Sequence, residues 1–295
     1  MQKVMALAEA VSRYVRDGMV IAMGTGLESC IPFAAGHEII RQRRRDLVLV
    51  GPISDILFDQ LIGAGCVSKV IAAWVGNVGA GIAYNFRRAV EEGIPRPLAV
   101  EDHSNLTVAL AVSAAAMGVP YLPARTALGT DIVRDHERMR EVTCPFTGDR
   151  LLAVGALRPD ITILHAQRCD RHGNAHLWGN LGISLEAARA AETVLLTCEE
   201  LVDDAVITSD PNRTLVPGFL VSAVAEVRDA RAGGLPGLAR PDGARHARTR
   251  GVPEPPGRGP GGTASPPHPA AGRPGELRFL RTAASCGRAR SPGAR

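Results

Sequence analysis

Short apolar runs alternate with amphipathic stretches along the first 227 residues of the chain. Runs of apolar residues predict buried strands at 19–23, 46–50, 67–74, 97–101, 160–167 and 192–198. Apolar residues at helical spacing predict helices over 4–16, 31–45, 54–63, 81–93 and from about residue 105, and we expect an irregular segment over 126–150. Because strands that alternate with helices are typical of one architecture, we predict an α/β fold with a mostly parallel sheet flanked by helices.

The pattern stops abruptly after Val227. Residues 228–295 contain 13 Arg, 13 Gly, 12 Ala and 11 Pro, with no Ile and a single Val. Such a segment cannot bury enough apolar surface to offset the entropy lost on ordering, so we predict that it is disordered. Three interpretations remain open: a flexible tail, a basic arm for nucleic acid, and a shifted reading frame in GC-rich DNA, which we favour. The predicted domain is therefore 1–227, followed by an Arg/Gly/Pro/Ala-rich tail over 228–295.

The net charge of +4 comes from this tail. With 13 arginines and 4 acidic residues the tail carries +9, so residues 1–227 carry −5 and give no reason to expect nucleic-acid binding. The N-terminus lacks the pattern of a signal peptide, and the longest apolar run, 106–119, is too short to span a membrane. The six cysteines include no CxxC pair and do not suggest a disulfide framework. We expect a cytoplasmic protein without membrane contact.

Two glycine-rich loops follow predicted strands. The first, MGTGLES at 23–29, lies between a strand and a helix, where backbone amides can cradle an anion. It is not the dinucleotide fingerprint, because Ser29 stands where a third glycine is needed, and a plain strand-to-helix turn is an equally good interpretation. The second is WVGNVGAG at 74–81. Loops at the carboxyl ends of parallel strands meet at one edge of the sheet, where open α/β folds bind ligands.

The segment VEDHSNL at 100–106 combines an acid pair, an imidazole, a hydroxyl and an amide ahead of an apolar helix. In a strand, Glu101 and Asp102 lie on opposite faces, so we do not expect them to act as paired carboxylates. Neighbours in sequence rarely converge as a catalytic triad requires. We expect Ser104 or Asn105 to cap the following helix, and Glu101 is the stronger candidate for chemistry because it ends a strand.

Potential metal ligands also occur near the second half of the domain, at His165, Cys169, His172 and His176. Their spacing matches no standard zinc site, and DRHGN at 170–174 is better explained as a hairpin turn between two strands. We therefore predict no metal site. The run RQRRR at 41–45 could meet a phosphate, but a solvated basic helix end is the commoner explanation.

Taken in order, several segments resemble the A-type chain of family I coenzyme A transferases, and that of glutaconate CoA-transferase in particular. The resemblance runs from about Met5 to Val227. It is carried by IPFAAGHEIIRQ, DLVLVGPISDILFDQLIGAGCVSKV, WVGNVG, EDHSN, LGTD, PFTGDRLLAVGALRPDITILHAQRCDRHGNAHLWG and AAETVLLTCEELV.

The resemblance implies an enzyme that moves coenzyme A between carboxylic acids. In such enzymes a glutamate carboxylate attacks the donor thioester, and a glutamyl-CoA thioester forms before CoA passes to the acceptor acid. The oxyanions of this reaction need amide donors, which glycine-rich loops at strand ends can supply. The CoA thioester is then a substrate, and no permanently bound cofactor is expected.

The resemblance also implies a partner. The nucleophilic glutamate of these enzymes normally belongs to a B-type subunit, so we expect a hetero-oligomer, a dimer or a tetramer, and an inactive chain without the partner. Within this chain Glu101 is the predicted catalytic residue. The residues predicted to bind substrate or CoA in the shared cleft are Gly24, Thr25, Gly26, Gly76, Asn77, Ser104 and Asn105.

A related branch of the family gives the alternative function. Hydrolases that open a ring in CoA thioesters of steroid degradation resemble these transferases, and a glutamate of their A-type chain acts on water or substrate. Glu101 matches that residue type, but the segment is EDHSN where that branch tends towards EEHSH, so Asn105 favours the transferase. A non-catalytic protein that binds through its basic tail is a third hypothesis, supported only by residues 228–295.

Overall fold

The computed structural model describes residues 3–26, 30–54, 56–76 and 81–227, so Asn77 and the predicted tail from 228 lie outside the described residues. Apart from short 3-10 turns, the described helices are α1 (Leu7–Tyr14), α2 (Phe33–Arg41), α3 (Ile56–Gly63), α4 (Tyr84–Glu91), α5 (Asn105–Met117), α6 (Ser184–Ala190) and α7 (Asp204–Thr208). The described strands are β1 (Val20–Ala22), β2 (Leu47–Val50), β3 (Ile53–Ser54), β4 (Val67–Ala72), β5 (Trp74–Val75), β6 (Ala99–Asp102), β7 (Tyr121–Ala124), β8 (Met139–Thr143), β9 (Arg150–Gly155), β10 (Ile161–Cys169), β11 (Ala175–His176), β12 (Thr193–Leu201), β13 (Thr214–Val216) and β14 (Ala223–Glu226).

Nine strands form the central sheet. Its main path runs β13–β11–β10–β1–β2–β4–β6, and β12 and β14 continue from β10. The pairings of β14, β12, β10, β1, β2, β4 and β6 are parallel, whereas β11 and β13 pair antiparallel. The predicted α/β fold with a mostly parallel sheet flanked by helices is therefore confirmed.

Helices cover both faces of this sheet. Helices α1, α2 and α3 cover one face, where Leu49 and Val70 are fully buried. Helices α5 and α6 cover the other face, where Val50 and Ile71 are buried. Burying a side chain of this size contributes about 1.5–3 kcal/mol relative to leaving it exposed, so alternate residues of each strand anchor the two helical layers.

The segment after α5 is more regular than the sequence predicts. Strands β7, β8 and β9 form a separate antiparallel sheet in the order β7–β9–β8, and Leu152 and Val154 of β9 pack in the same core as α5. The expectation of an irregular segment over 126–150 is therefore wrong for β8. Its sequence MREVT has one buried residue, Met139, and mostly exposed positions after it, so it lacks the apolar run that identifies the other strands.

Helix α5 is the longest helix in the described residues, at 13 residues, and its apolar side chains lie all around its circumference. No helix in the described part of the chain is both long and apolar enough to cross a membrane.

Candidate active site

The described members of the predicted site lie along the carboxyl edge of the central sheet. Gly24–Gly26 follow β1, Gly76 follows β5 just beyond β4, and Ser104 follows β6. Neighbouring strands are about 4.8 Å apart, so the ends of β1 and β6, three strands apart, are separated by roughly 14 Å. The structure thus brings these residues to one edge of the sheet but does not bring them around one reacting atom, and a shared cleft stays a prediction.

The Gly24–Gly26 loop is held by backbone contacts. Gly24 has a φ of +60°, which glycine adopts more readily than other residues. The Oγ1 atom of the buried Thr25 lies 2.7 Å from Oγ of Ser184, and the Thr25 carbonyl accepts a 3.0 Å hydrogen bond from the N–H of Ile183. A Cβ on Gly182 would lie only 2.0 Å from that carbonyl oxygen. The Thr25 hydroxyl therefore helps to hold the loop, whose residues Gly24–Gly26 are all buried, and binding of a ligand by its backbone amides stays a prediction.

Gly76 lines a largely apolar groove. The groove has a volume of about 700 Å³ and runs between the β3–β5 ribbon and α4, with Trp74 and Phe86 among its walls. Asn77, the next predicted residue, lies outside the described residues, and its role stays a prediction.

Ser104 is the N-cap of α5, as expected. Its Oγ accepts a 3.1 Å hydrogen bond from the N–H of Thr107, and Thr107 Oγ1 accepts one of 2.8 Å from the N–H of Ser104. This reciprocal pair satisfies two N–H groups that a helix start leaves without partners. Asn105 is the first helical residue and is exposed. A contact of either residue with a ligand stays a prediction.

Glu101 is enclosed by positive side chains. It is only 7% exposed, whereas Asp102 is exposed, so the two carboxylates lie on opposite faces of β6 as expected. Glu101 Oε1 accepts hydrogen bonds from Arg138 Nε at 3.0 Å and from His103 Nε2 at 3.2 Å. Lys69 Nζ lies 2.6 Å from Oε2 and forms an ion pair with it.

These cations fix the ionisation of Glu101. Burial by itself would raise the pKa of its carboxyl group, but hydrogen bonds from His103 and Lys69 and the positive charges of Arg138 and Lys69 outweigh burial and lower the pKa to about 2. Glu101 is therefore a carboxylate at neutral pH. It holds no proton to donate there, and neither oxygen can approach a thioester without losing a cationic partner.

Two histidines complete this cluster. His136 Nε2 donates a 2.9 Å hydrogen bond to the carbonyl of Asp102, and the rings of His103 and His136 meet edge to face with centroids 4.7 Å apart. Burial is the main cause that lowers the pKa of His136, and the neighbouring His103 lowers it further. We call Lys69, Glu101, His103, His136 and Arg138 the Glu101 cluster.

The Glu101 cluster includes the one group of potential metal ligands in the described part of the chain. Glu101, His103 and His136 offer ligand atoms that lie within 4.8 Å of one another. However, Lys69 and Arg138 already neutralise the carboxylate, and their charges would repel a metal ion. The cluster is therefore better explained as an ion-pair network than as a metal centre.

Three members of this cluster, Lys69, His136 and Arg138, were not predicted from the sequence. Lys69 interrupts the apolar strand VSKVIAAW, and a charged residue in a buried strand signals that a partner charge lies nearby. His136 and Arg138 belong to the segment expected to be irregular, and nothing in the sequence pairs them with Glu101.

The potential metal ligands at residues 165–176 lie in different environments. His165 is buried and contacts Thr197 Oγ1 at 2.9 Å and Glu199 Oε1 at 3.1 Å. His172 is exposed and lies 3.2 Å from Asp204. The expected hairpin turn between β10 and β11 is confirmed.

Comparisons with known proteins agree with this fold. The family described as coenzyme A transferase matches residues 4–227, so the chain belongs to the coenzyme A transferase family. The A-type chain of the 3-oxoadipate CoA-transferase of Pseudomonas knackmussii is 43% identical over 227 residues, which are 77% of this chain and 79% of that one. The A-type chain of the glutaconate CoA-transferase of Acidaminococcus fermentans is 32% identical over 241 residues, covering 76% and 74% of the two chains.

A solved structure supports the same conclusion. The glutaconate coenzyme A-transferase of Acidaminococcus fermentans superposes with a TM-score of 0.74 and 30% identity, covering 79% of this chain and 78% of that chain. The IpdA chain of a cholesterol ring-cleaving hydrolase of Rhodococcus jostii is 30% identical over 188 residues, which are 60% of each chain. The expected resemblance and the expected enzyme class, a CoA-transferase, are confirmed.

Proposed function

We propose that this chain is the A-type half of a two-subunit enzyme that moves coenzyme A from an acyl-CoA thioester to a carboxylic acid. The observation that carries the proposal is the enclosure of Glu101 by Lys69, Arg138 and His103. The nucleophile of this reaction must present a free carboxylate oxygen to the thioester carbon, and Glu101 has none free. We therefore assign the nucleophilic glutamate to a B-type partner, which agrees with the names of two relatives as A-type chains of CoA-transferases.

The reaction proceeds through an anhydride. The partner's glutamate attacks the carbonyl carbon of the donor thioester, the carbon–sulfur bond breaks, and CoA leaves as the thiolate. The thiolate attacks the glutamyl carbonyl of the anhydride, which releases the donor acid and leaves a glutamyl-CoA thioester. The acceptor acid then attacks this thioester and displaces CoA as the thiolate, which attacks the acceptor's acyl carbonyl and releases the partner's glutamate. Each attack creates an oxyanion, which the amides of the Gly24–Gly26 loop are suited to stabilise. These steps need no net proton transfer, so a permanently ionised Glu101 fits a supporting role.

The names of the relatives suggest the substrate class. Both 3-oxoadipate and glutaconate are dicarboxylic acids. We propose that the enzyme uses a dicarboxylic acid or its CoA thioester, and that its cleft therefore accommodates a second carboxylate at the far end of the substrate.

The alternative is a ring-opening hydrolase of CoA thioesters in which Glu101 is the acid–base residue. The similarity to the IpdA chain of the ring-cleaving hydrolase favours it. The low pKa of Glu101 opposes it, since an acid–base residue works best when its pKa lies near the working pH.

The test uses the full chain in complex with a B-type subunit from the same genome. The complex is incubated with a dicarboxylic acyl-CoA, treated with borohydride, and analysed by mass spectrometry. We expect the reduced glutamate on the partner, CoA passing to an added dicarboxylic acid, and partial activity in Glu101→Gln. Glu137→Gln is the matched control, because Glu137 is exposed and also contacts Lys69, at 3.3 Å. No adduct, a water-dependent product and complete loss of activity in Glu101→Gln alone would establish the hydrolase instead.

A further inference from the structure

The basic run at 41–45 has no part in the proposed function. Arg41 is the last residue of α2 and pairs with Glu38, whereas the next three arginines, at 43–45, lie beyond the helix. These three line a pocket of about 330 Å³, together with Ile40 and residues 64–66. We call it the arginine pocket. None of the described residues that line it is acidic.

The arginine pocket lies at the amino edge of the central sheet. Residues 43–45 precede β2 and Cys66 precedes β4, whereas Gly24–Gly26, Gly76 and Ser104 all follow strands. The six residues of β4 alone span about 20 Å between the two edges. The pocket is therefore separate from the site of the proposed reaction, and a ligand bound there is not the reacting thioester.

The pocket follows the carboxyl ends of α2 and α3, and the backbone already caps both ends. The N–H of Arg44 donates to the carbonyl of Ile39 at 3.2 Å, and the N–H of Arg43 donates to that of Ile40 at 2.9 Å. Helix α3 ends in the same way, with Gly65 in the left-handed conformation. These are the two bonds of a Schellman motif. The arginine side chains are therefore not needed to satisfy the last carbonyls of either helix.

The arginines also carry more charge than their surroundings neutralise. The two helix ends together carry a charge of about −1. Asp17, whose carboxylate accepts a 2.9 Å hydrogen bond from the Arg45 N–H, offsets a second positive charge, and Asp46 already pairs with Arg96 at 2.7 Å. Burial is the main cause that raises the pKa of the Cys66 thiol, so this wall is uncharged at neutral pH. Three arginines thus leave about one positive charge, which attracts an anion.

Several arginine donors in the pocket have no partner within the described part of the chain. The guanidinium groups of Arg43 and Arg45 form no hydrogen bond or ion pair with the described residues. Arg44 is held in place, since its Nη2 donates to the Ser12 carbonyl at 3.2 Å and to Gln42 Oε1 at 3.0 Å. Its Nε is nevertheless buried without a partner among these residues. A buried donor of this kind calls for an acceptor, which a bound anion would supply.

Arg43 occupies a position that favours glycine. Its φ is +56°, in the left-handed region that commonly ends a helix. Any residue with a Cβ is strained there, because the Cβ approaches the following carbonyl oxygen. Side chains kept in such a conformation cluster at functional sites, so the strain at Arg43 agrees with a ligand-binding role.

We propose that the arginine pocket binds the phosphate group of a small molecule, either free inorganic phosphate or a small phosphate ester. The planar guanidinium group presents two parallel N–H donors that match two phosphate oxygens. A volume of about 330 Å³ is near the lower limit of small-molecule sites, so the pocket suits a phosphate with a small organic part. The inference does not depend on the proposed function.

The test titrates the full chain with inorganic phosphate and with glycerol 3-phosphate, by isothermal calorimetry at constant ionic strength. Arg43→Gly and Arg45→Gln each remove one charge from the pocket. Arg41→Gln is the matched control, because it removes the same charge from a neighbouring residue that does not line the pocket. We expect saturable binding by the wild-type chain and by Arg41→Gln, and at least tenfold weaker binding by the two pocket variants.

Arg43→Gly separates binding from folding. Glycine relieves the left-handed strain, so this variant should have a higher Tm than the wild-type chain when no phosphate is present. Phosphate should raise the Tm of the wild-type chain and of Arg41→Gln, because a ligand stabilises the state that binds it, and it should leave the Tm of Arg43→Gly unchanged.

The two probes distinguish the sources of the phosphate group. Tighter binding of glycerol 3-phosphate than of inorganic phosphate would assign the pocket to a phosphate ester, and binding that is no tighter would assign it to free phosphate.

Four results would overturn the inference. The first is no saturable binding of either probe to the wild-type chain, and the second is an equal loss of binding in Arg41→Gln. The third is unchanged binding in either pocket variant, which would place the anion elsewhere, such as on the arginines of residues 228–295. The fourth is a DNA duplex whose binding the pocket variants weaken while neither phosphate probe binds, which would make this surface a nucleic-acid site.

Discussion

The Gly24–Gly26 loop and the Glu101 cluster lie at the same edge of the sheet but are built in opposite ways. The loop is uncharged, and contacts with the backbone around Gly182 hold it in place. The cluster consists of titratable side chains from distant parts of the chain, and ion pairs hold it together. The difference teaches that the loop should respond to changes in shape, whereas the cluster should respond to changes in charge.

A methyl group at Gly182 should displace the Gly24–Gly26 loop and leave the Glu101 cluster unchanged. In Gly182→Ala the new Cβ would lie 2.0 Å from the Thr25 carbonyl oxygen, and the φ of +51° adds backbone strain. Because the obstacle is backbone rather than a flexible side chain, the loop must move. We expect a loss of about 3–4 kcal/mol in the free energy of unfolding, measured by urea denaturation, and a large loss of CoA transfer in the complex.

Gly129→Ala is the matched control for backbone strain. Gly129 also has a positive φ, +78°, but a Cβ there would meet nothing within 4 Å. We expect this variant to lose only about 1–2 kcal/mol. Equal losses in the two variants would mean that close packing against Gly182 does not hold the loop.

Acid should distinguish the cluster from the loop. The pKa of Glu101 is lowered from 4.5 to about 2 on folding, so its stabilising effect is complete above pH 4.5 and is lost as the pH falls towards 2. Between pH 5 and pH 3 the wild-type chain should lose about 2 kcal/mol more than Glu101→Gln, which has no carboxyl group to titrate there. Urea denaturation at the two pH values measures the difference, and parallel losses in the two proteins would contradict the ion-pair network.

The sequence was sufficient to predict the fold where the signal is local. Apolar runs such as DLVLV identify buried strands, and the alternation with helices then fixes a parallel sheet whose strand ends share one edge. Strand β8 was missed because only Met139 is buried in it, so its residues carry no apolar run.

The candidate site was only partly predictable for a related reason. Ser104 as a cap depends on Thr107, three residues away, and such a pair can be recognised in sequence. The hydrogen bond from Arg138 to Glu101 joins residues 37 positions apart, through a segment whose path depends on tertiary packing. Neither periodicity nor composition carries information of that kind.

The smallest expected effect concerns Ser104, which caps α5 and is also predicted to bind substrate. Ser104→Ala removes the hydroxyl that caps α5 and should cost about 1 kcal/mol of unfolding free energy, whereas Asn105→Ala, at an exposed first helical position, should change it by less than about 0.5 kcal/mol. Ser104→Asp restores a capping oxygen and should recover the stability. If CoA transfer recovers with it, the cap is the function of Ser104. If transfer stays low while stability returns, Ser104 contacts the substrate, and this end of the predicted cleft binds ligand in addition to holding the charged Glu101 cluster.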